Sequence, residues 1–294
     1  MDFTNGQELL ALCEEQEGSI SQIMQKRENF LFPAQVEFSD EKLEKAYHVM
    51  KDAAKAAIIQ PRVSMGELLG GEAQKLFTHL KSSLCGNLIS KAVMYAMGTL
   101  EVNTSMGLIV AAPTAGASGV LPGVLLSLEE EKNIEKKVIL NGLRNASAIG
   151  YLIARNASVS GAQGGCQAEV GSASAMAASA IVEILGGSPA DCLSAAATAL
   201  MNIMGLICDP IGGLVEVPCQ KRNAMGVSNA FVSAEITLAG ISSIIPFDEV
   251  VEAMKQVGDH LPYQYKETAL GGVAISPTAC QLKKSGRCVT TRID

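Results

Sequence analysis

Apolar residues recur every three or four positions along most of this chain, and the alternation typical of β-strands is scarce. The first such segment, residues 6–28, is predicted to form one amphipathic helix, and residues 30–38 form a proline-containing connection. Further helices are predicted over residues 40–59, 67–80, 88–100, 133–157, 171–185, 188–207, 223–241 and 248–257. The pattern therefore predicts an all-α fold, a compact helical bundle whose helices are joined in places by Gly-rich loops.

The clearest start signal of a helix lies at Ser188. Ser188 is a favoured N-cap residue, Pro189 suits the first helical position, and Asp191 places a negative charge in the first turn. Gly186 and Gly187 directly before it end the preceding Ala-, Ser- and Met-rich helix. The sequence thus predicts that one helix ends and the next begins within residues 186–189.

No fixed-period repeat and no low-complexity linker divides the 294 residues. We therefore predict one catalytic domain over residues 1–294, with a helical N-terminal portion over residues 1–80 and a polar tail over residues 281–294. Aromatic residues make up only 4% of the sequence, and there is no Trp. Small side chains let helices approach one another closely, which favours a tightly packed bundle.

Charge and hydropathy exclude several classes of function. Lys and Arg total 23 against 30 Asp and Glu, so the net charge is −7, and no basic stripe points to nucleic acid. Two apolar stretches do not suit a membrane, because residues 195–207 are too few and residues 106–126 are interrupted by Pro113 and Pro122. The N-terminus is acidic where a signal peptide is basic. We expect a cytoplasmic protein whose eight cysteines are thiols or ligands rather than disulfides.

Three cysteines, Cys166, Cys208 and Cys219, lie in glycine-rich, polar sequence rather than in apolar runs, at the predicted ends of helices. Their separations of 42 and 11 residues match neither zinc-ribbon nor ferredoxin spacing. Backbone N–H groups at such turns can hydrogen-bond the sulfurs of a cluster, and three thiolates suit an iron–sulfur cluster with one open iron. On the residues alone, ordinary free thiols near turns are the more common interpretation.

The other cysteines differ in context. Cys13, Cys85 and Cys192 lie on or beside helical segments and are predicted to be packing residues. Cys280 ends a Gly- and Ala-rich stretch that we predict to be a non-helical tail, and Cys288 lies in the polar terminus, where exposure is expected. None of the three histidines lies in a metal-binding pattern.

Two further segments carry candidate chemistry. Residues 103–107 and 112–123 are dense in Gly, Ser and Thr, so their backbone N–H groups could bind a carboxylate or phosphate, although a tight turn between helices fits equally. The region is no P-loop, because no Gly-Lys-Ser/Thr follows. Residues 221–223 place two cations shortly after Cys219, which suits either a substrate carboxylate or an ordinary solvated turn.

Taken together, five segments resemble the alpha chain, or catalytic domain, of the iron–sulfur L-serine dehydratases. The resemblance spans about residues 15–280, and its cysteine segments are highly specific. The five segments are Ser105-Met106-Gly107, Pro113-Thr114-Ala115-Gly116-Ala117-Ser118-Gly119, Gly165-Cys166-Gln167-Ala168-Glu169-Val170-Gly171, Cys208-Asp209-Pro210 and Pro218-Cys219-Gln220-Lys221-Arg222-Asn223.

The resemblance implies a [4Fe–4S] cluster held by Cys166, Cys208 and Cys219, with no pyridoxal phosphate. The fourth iron would be a Lewis acid for the serine hydroxyl. Elimination then gives aminoacrylate, whose imine tautomer hydrolyses to pyruvate and ammonia.

The resemblance also implies two candidate grips on the substrate carboxylate, the Gly-rich loop with a nearby serine and the cationic turn after Cys219. The candidate residues are Ser105, Thr114, Ala115, Gly116, Ser118, Gly119, Lys221, Arg222 and Asn223. In relatives a cysteine after a Gly-Gly-hydrophobic-Ala stretch reaches the resting cluster, and residues 271–274 put Cys280 in that place as a candidate catalytic residue. Here 14 more residues follow Cys280, so its role as a resting ligand stays open.

Single-chain relatives carry an additional N-terminal domain with a Ser-His-Thr-type motif, which this sequence lacks. We therefore expect a partner beta chain that supplies the catalytic base. Two alternatives remain open. One is a cluster-dependent cysteine desulfidase, and the other is a non-catalytic or redox-sensing iron–sulfur subunit whose cluster is closed by Cys280 or Cys288.

Overall fold

The computed structural model describes residues 2–286, without the side chains of residues 35–38. Within this part the fold is all-α, as predicted, and the pairing of Cys208 with Lys266 is an isolated bridge rather than a strand. The helices of the described part are α1 Gly6–Glu15, α2 Ile20–Leu31, α3 Val36–Ile59, α4 Glu72–His79, α5 Gly86–Thr104, α6 Val120–Glu131, α7 Lys136–Asn156, α8 Gly161–Gly164, α9 Ser172–Ile184, α10 Pro189–Ile203, α11 Cys219–Leu238, α12 Phe247–His260 and α13 Pro277–Lys284.

Helix α9 is the centre of the bundle. Every residue of α9 except Glu183 is buried, and α6, α7, α10 and α11 pack around it. Its Ala and Ser side chains are short, so the surrounding helices lie close to its backbone. Among the described residues, no helix is long and apolar enough to cross a membrane.

The predicted helix over residues 6–28 is in fact two helices, so this prediction was wrong. Helix α1 ends at Glu15, and α2 begins after a capping box in which Ser19 and Gln22 bond each other's backbone N–H groups. Glu17 adopts a left-handed φ of 49°, which reverses the chain between the two. The apolar periodicity continues across this break, which is why it suggested a single helix.

Helix α6 was missed because its start was assigned to the Gly-rich loop. Pro122 lies in its first turn, where a missing N–H costs no hydrogen bond. Gly119 and Gly123 face α5 so closely that a Cβ on Gly123 would lie 2.6 Å from the carbonyl oxygen of Ala92. These glycines therefore serve close helix packing rather than loop flexibility.

The expectation of a non-helical tail around Cys280 is also wrong. Ser276 accepts a hydrogen bond from Ala279 N, and Pro277 occupies the first position of α13, which contains Cys280. The start of α10 follows the prediction, since Ser188 and Asp191 form a capping box, but α10 ends at Ile203 rather than near residue 207.

Two helices begin against a carboxylate from a distant part of the chain. Asp248 accepts hydrogen bonds from the N–H groups of Gly6 and Gln7 at the start of α1. Glu101, on α5, accepts from Gly71 N at 3.1 Å and Ala73 N at 2.7 Å at the start of α4, which has no side-chain cap of its own. These contacts satisfy backbone donors that helix geometry leaves unpaired.

Candidate active site

The structure brings Cys166, Cys208 and Cys219 together in the interior. Cys166 directly precedes a π-helical turn over Gln167–Gly171, and Cys219 is the first residue of α11, so both lie at helix starts as predicted. Cys208 lies in the loop beyond α10, so its predicted place at a helix end is wrong. All three are buried, and burial together with the charges of the other two thiols raises the pKa of Cys208.

Backbone hydrogen bonds hold Cys208 in place. Its N–H donates to Tyr265 O at 2.8 Å, and its carbonyl accepts from Glu267 N at 2.8 Å. Gln167, next to Cys166, donates its N–H to Leu206 O at 2.9 Å. The segments that carry two of the thiols are therefore tied to each other and to the chain after α12.

A carboxylate that the sequence analysis did not assign lies beside the thiols. Oε1 of Glu169 accepts a 2.7 Å hydrogen bond from the Thr114 hydroxyl, and Oε2 lies 4.0 Å from the sulfur of Cys208. Burial raises the pKa of Glu169, Thr114 opposes the rise, and the charge of Glu267 adds to it. Glu169 belongs to the segment around Cys166 that carries the family resemblance. The sequence signal for its role is that it is the one acidic residue of that segment.

Arg222 and Asp209 form a second charged pair at the site. Nη2 of Arg222 lies 2.8 Å from Oδ1 of Asp209, and Nη1 donates to Ile207 O at 2.8 Å. Burial raises the pKa of the Cys166 thiol to about 11, and the Arg222 guanidinium, which hydrogen-bonds that thiol, opposes the rise. Arg222 thus stabilises negative charge on Cys166. In the sequence, Asp209 stands out only as the neighbour of Cys208 in the segment Cys208-Asp209-Pro210.

The Gly-rich loop lies against the helix that starts at Cys219, and Asn223 makes the connection. Asn223 is buried, and its Nδ2 donates to Gly116 O at 2.7 Å and to Cys219 O at 2.9 Å. Its Oδ1 accepts from Gly119 N at 3.0 Å. Asn223 therefore positions the loop beside the thiols.

The remaining candidate residues differ in accessibility. The hydroxyls of Ser105 and Ser118 donate to backbone carbonyls of their own turns, whereas Lys221 is exposed. Over residues 113–119 of the described chain, the N–H groups that have no acceptor are those of Thr114, Ala115 and Gly116. A backbone N–H without an acceptor inside the protein can donate to a bound ligand.

The other cysteines lie in different surroundings. Cys13 and Cys192 are buried in the core, as expected of packing residues, but Cys85 is exposed, so that prediction was wrong for Cys85. Cys280 is exposed on α13, with its sulfur 3.7 Å from Ile275 O. Cys288 lies outside the described residues.

The donor set of the site consists of three buried thiols. In the described part of the chain, no three His, Cys, Asp or Glu side chains are arranged around one metal position. A four-iron cluster is larger than one ion, so its ligands stand further apart. Three buried thiols that are not in disulfides are the ligands that iron–sulfur clusters take. At Gly161 a Cβ would lie 3.0 Å from the sulfur of Cys208, so the absence of a side chain there keeps the surroundings of that thiol open.

An all-α bundle that gathers three thiols beside a Gly-rich loop defines a helical protein with a three-cysteine site. The model of the serine dehydratase alpha chain family matches residues 11–274, and the chain belongs to this family. It is 45% identical to the "Probable L-serine dehydratase, alpha chain" of Bacillus subtilis over 284 residues, 96% of this chain and 94% of the relative.

Two further relatives show how the same region occurs in chains of different length. The "L-serine dehydratase, alpha chain" of Peptoniphilus asaccharolyticus is 42% identical over 284 residues, 96% of this chain and 97% of the relative. The "L-serine dehydratase" of Helicobacter pylori is 36% identical over 286 residues, which cover 93% of this chain but only 61% of the relative.

Proposed function

We propose that this protein is an L-serine ammonia-lyase, which converts L-serine to pyruvate and ammonia by β-elimination. The observation that carries the proposal is the convergence of Cys166, Cys208 and Cys219 in the interior of a serine dehydratase alpha chain fold. The relatives that match nearly the whole chain are named for the same activity.

In this proposal the three thiols hold a [4Fe–4S] cluster. When bound, the cluster supplies a Lewis-acidic iron for the serine hydroxyl. The protein's contribution is to hold three thiolates at fixed positions and to stabilise their charge. Because burial raises the pKa of all three thiols, their ligation releases protons, and Arg222 offsets part of the charge that remains.

The Gly-rich loop is the proposed grip for the substrate carboxylate. The N–H groups of Thr114, Ala115 and Gly116 are open to an anion, and Asn223 fixes the loop beside Cys219. Lys221 is exposed, so it remains a candidate for attracting the carboxylate from solvent. The other proposed binding residues, and the candidate catalytic residue Cys280, stay predictions.

The proposed partner is a beta chain that supplies the base. Two observations support it. The full-length matches are named as alpha chains, and the H. pylori relative extends well beyond the region that it shares with this chain. Within the described chain, Oε2 of Glu169 lies 4.0 Å from the sulfur of Cys208, and Oε1 accepts the Thr114 hydroxyl.

The test is to purify the chain anaerobically and count iron and sulfide in the wild type and in Cys166→Ala, Cys208→Ala and Cys219→Ala. Cys192→Ala is the matched control, because Cys192 is equally buried but lies on α10 beside Asn145 and Ser179. We expect the three site variants to lose most of the iron and the control to keep it. A full cluster in any site variant would overturn the ligand assignment.

Pyruvate formation is then measured with L-serine and with L-cysteine, with and without the beta chain. Release of pyruvate from serine supports the proposal, and release from cysteine alone would make the protein a desulfidase. Resonance spectra of the cluster that do not change on anaerobic addition of serine would indicate a non-catalytic subunit.

A further inference from the structure

A C-terminal segment, residues 271–284, packs on the loop between Cys208 and Cys219. A 3₁₀ turn over Gly272–Ile275 leads into α13, and both contact the first turn of this loop. Ile211 of the loop and Ala279 of α13 are buried in one small apolar cluster. The reaction proposed above assigns no role to this packing.

Asp209 joins the segment to the thiols. Its Oδ2 accepts a hydrogen bond from Val273 N at 2.7 Å, and its Oδ1 lies 2.8 Å from Nη2 of Arg222. The Asp209 side chain is only 2% exposed, so water does not substitute for either contact. Arg222 in turn bonds Ile207 O and the thiol of Cys166. Asp209 therefore connects the backbone of the segment, through Arg222, to the residue before Cys208 and to the thiol of Cys166.

Gly272 shows how closely the segment lies against this carboxylate. A Cβ at Gly272 would overlap Oδ2 of Asp209, and its φ of +59° is a conformation that other residues rarely adopt. Only glycine lets the backbone approach closely enough for Val273 N to reach Asp209. The contact between Val273 N and Asp209 thus depends both on the carboxylate of Asp209 and on the missing side chain of Gly272.

We propose that Asp209 is a positioning residue. Its contacts fasten residues 271–284 to the loop between Cys208 and Cys219, an arrangement that we call the latch, and so hold Cys208 and Cys219 in place. The ligand role of the thiols rests on the proposed function. The latch itself concerns the protein's own contacts and is tested without metal.

Asp209→Asn is the first variant, because Asn offers one oxygen and one NH₂ group. If the oxygen faces Val273 N, the NH₂ faces the Arg222 guanidinium, and in the opposite orientation it faces Val273 N–H. One contact must therefore be lost. In the metal-free protein we expect amide hydrogen exchange in residues 271–276 to become about tenfold faster relative to α9.

The same samples are alkylated with iodoacetamide, and each cysteine is followed by mass spectrometry. Cys208 and Cys219 are expected to react several-fold faster in Asp209→Asn than in the wild type, whereas Cys192 serves as a buried internal reference. A structural defect elsewhere would raise all buried cysteines together.

Gly272→Ala tests the latch from the other side and leaves Asp209 and every thiol intact. Gly286→Ala is its matched control, since Gly286 also has a positive φ, +81°, but a Cβ there would meet nothing within 4 Å. We expect Gly272→Ala to reproduce both effects of Asp209→Asn and Gly286→Ala to reproduce neither.

The latch is overturned if both variants keep exchange and alkylation ratios within twofold of the wild type. Exchange is taken relative to α9, so a general loss of stability does not imitate the expected result. Iron uptake is measured on reconstituted samples in parallel. A wild type that takes up no iron would overturn the proposed function and leave the latch untouched.

Discussion

Asn223 uses both its carbonyl oxygen and its NH₂ group inside the protein. It connects Gly116 and Gly119 of the Gly-rich loop to the first turn of α11. A buried amide with three such partners cannot be removed without leaving backbone groups unpaired. At the scale of the residue, this amide determines where the loop lies relative to Cys219.

We predict that Asn223→Ala lowers the free energy of unfolding by about 2–4 kcal/mol, because Gly119 N and Gly116 O lose their partner in the interior. The measurement is urea unfolding followed by circular dichroism. Asn103→Ala is the control, because Asn103 is only partly buried and donates to a single carbonyl, that of Ala115. Its expected cost is below about 1 kcal/mol, and equal costs for the two variants would contradict this role of Asn223.

The three thiols illustrate what sequence could and could not predict at this scale. Their glycine-rich contexts and the family resemblance singled them out as one set, and all three are buried. Asp209 and Glu169 were not found, because each acts through a partner more than fifty residues away in sequence, Val273 and Thr114 respectively. No local pattern encodes such a pairing.

At the scale of the element, helix starts depend on caps from two sources. Ser188 and Asp191 cap α10 from its own sequence, and that start was predictable. The start of α4 is capped by Glu101 from α5, and the predicted helix began five residues too early. A cap supplied by tertiary structure leaves no signal at the position that it stabilises.

Glu101 also predicts a pH dependence of stability. Burial raises its pKa in the folded protein above the ordinary 4.5, although hydrogen bonds from the backbone of Ala73, Gly71 and Arg62 oppose the rise. The folded state therefore holds this proton more tightly than the unfolded state, and its contribution to stability falls as pH increases from 4.5 through the raised pKa.

We expect Glu101→Gln to remove that contribution. The free energy of unfolding of the wild type, measured in urea from pH 4 to pH 7, should fall relative to that of Glu101→Gln as pH rises. A difference between the two proteins that stays constant over this range would contradict the assignment. Glu67→Gln, a change at an exposed carboxylate, provides the reference slope.

At the scale of the whole molecule, the bundle depends on close approach between helices that carry few large side chains. Gly119 and Gly123 place α6 against the carbonyl groups of α5, and α9 is lined by Ala and Ser. The composition predicted that the helices pack closely. It did not predict which glycines lie at the contacts between helices, because that depends on the residues of the facing helix.

Gly119→Ala is predicted to destabilise the protein by about 2 kcal/mol or more, because the Cβ would overlap the carbonyl oxygen of Ala96. Gly171→Ala is the matched control. Gly171 has helical φ and ψ, and its nearest neighbours would lie 3.8 Å from a Cβ, so this change should be neutral or slightly stabilising. The comparison is made from thermal and urea unfolding, and similar losses for both would argue against a packing role for Gly119.

The contacts around the three thiols also determine at which point of synthesis the site can be completed. The hydrogen bond of Thr114 cannot form until Glu169 has been translated. Gly119 and Asp209 depend in the same way on Asn223 and Val273, which also lie later in the chain. A ribosome has therefore synthesised nearly all of the described chain before the site can close around Cys208. Until then the carboxylate of Asp209 lacks its partner Val273, so the surroundings of the thiols are completed only towards the end of synthesis.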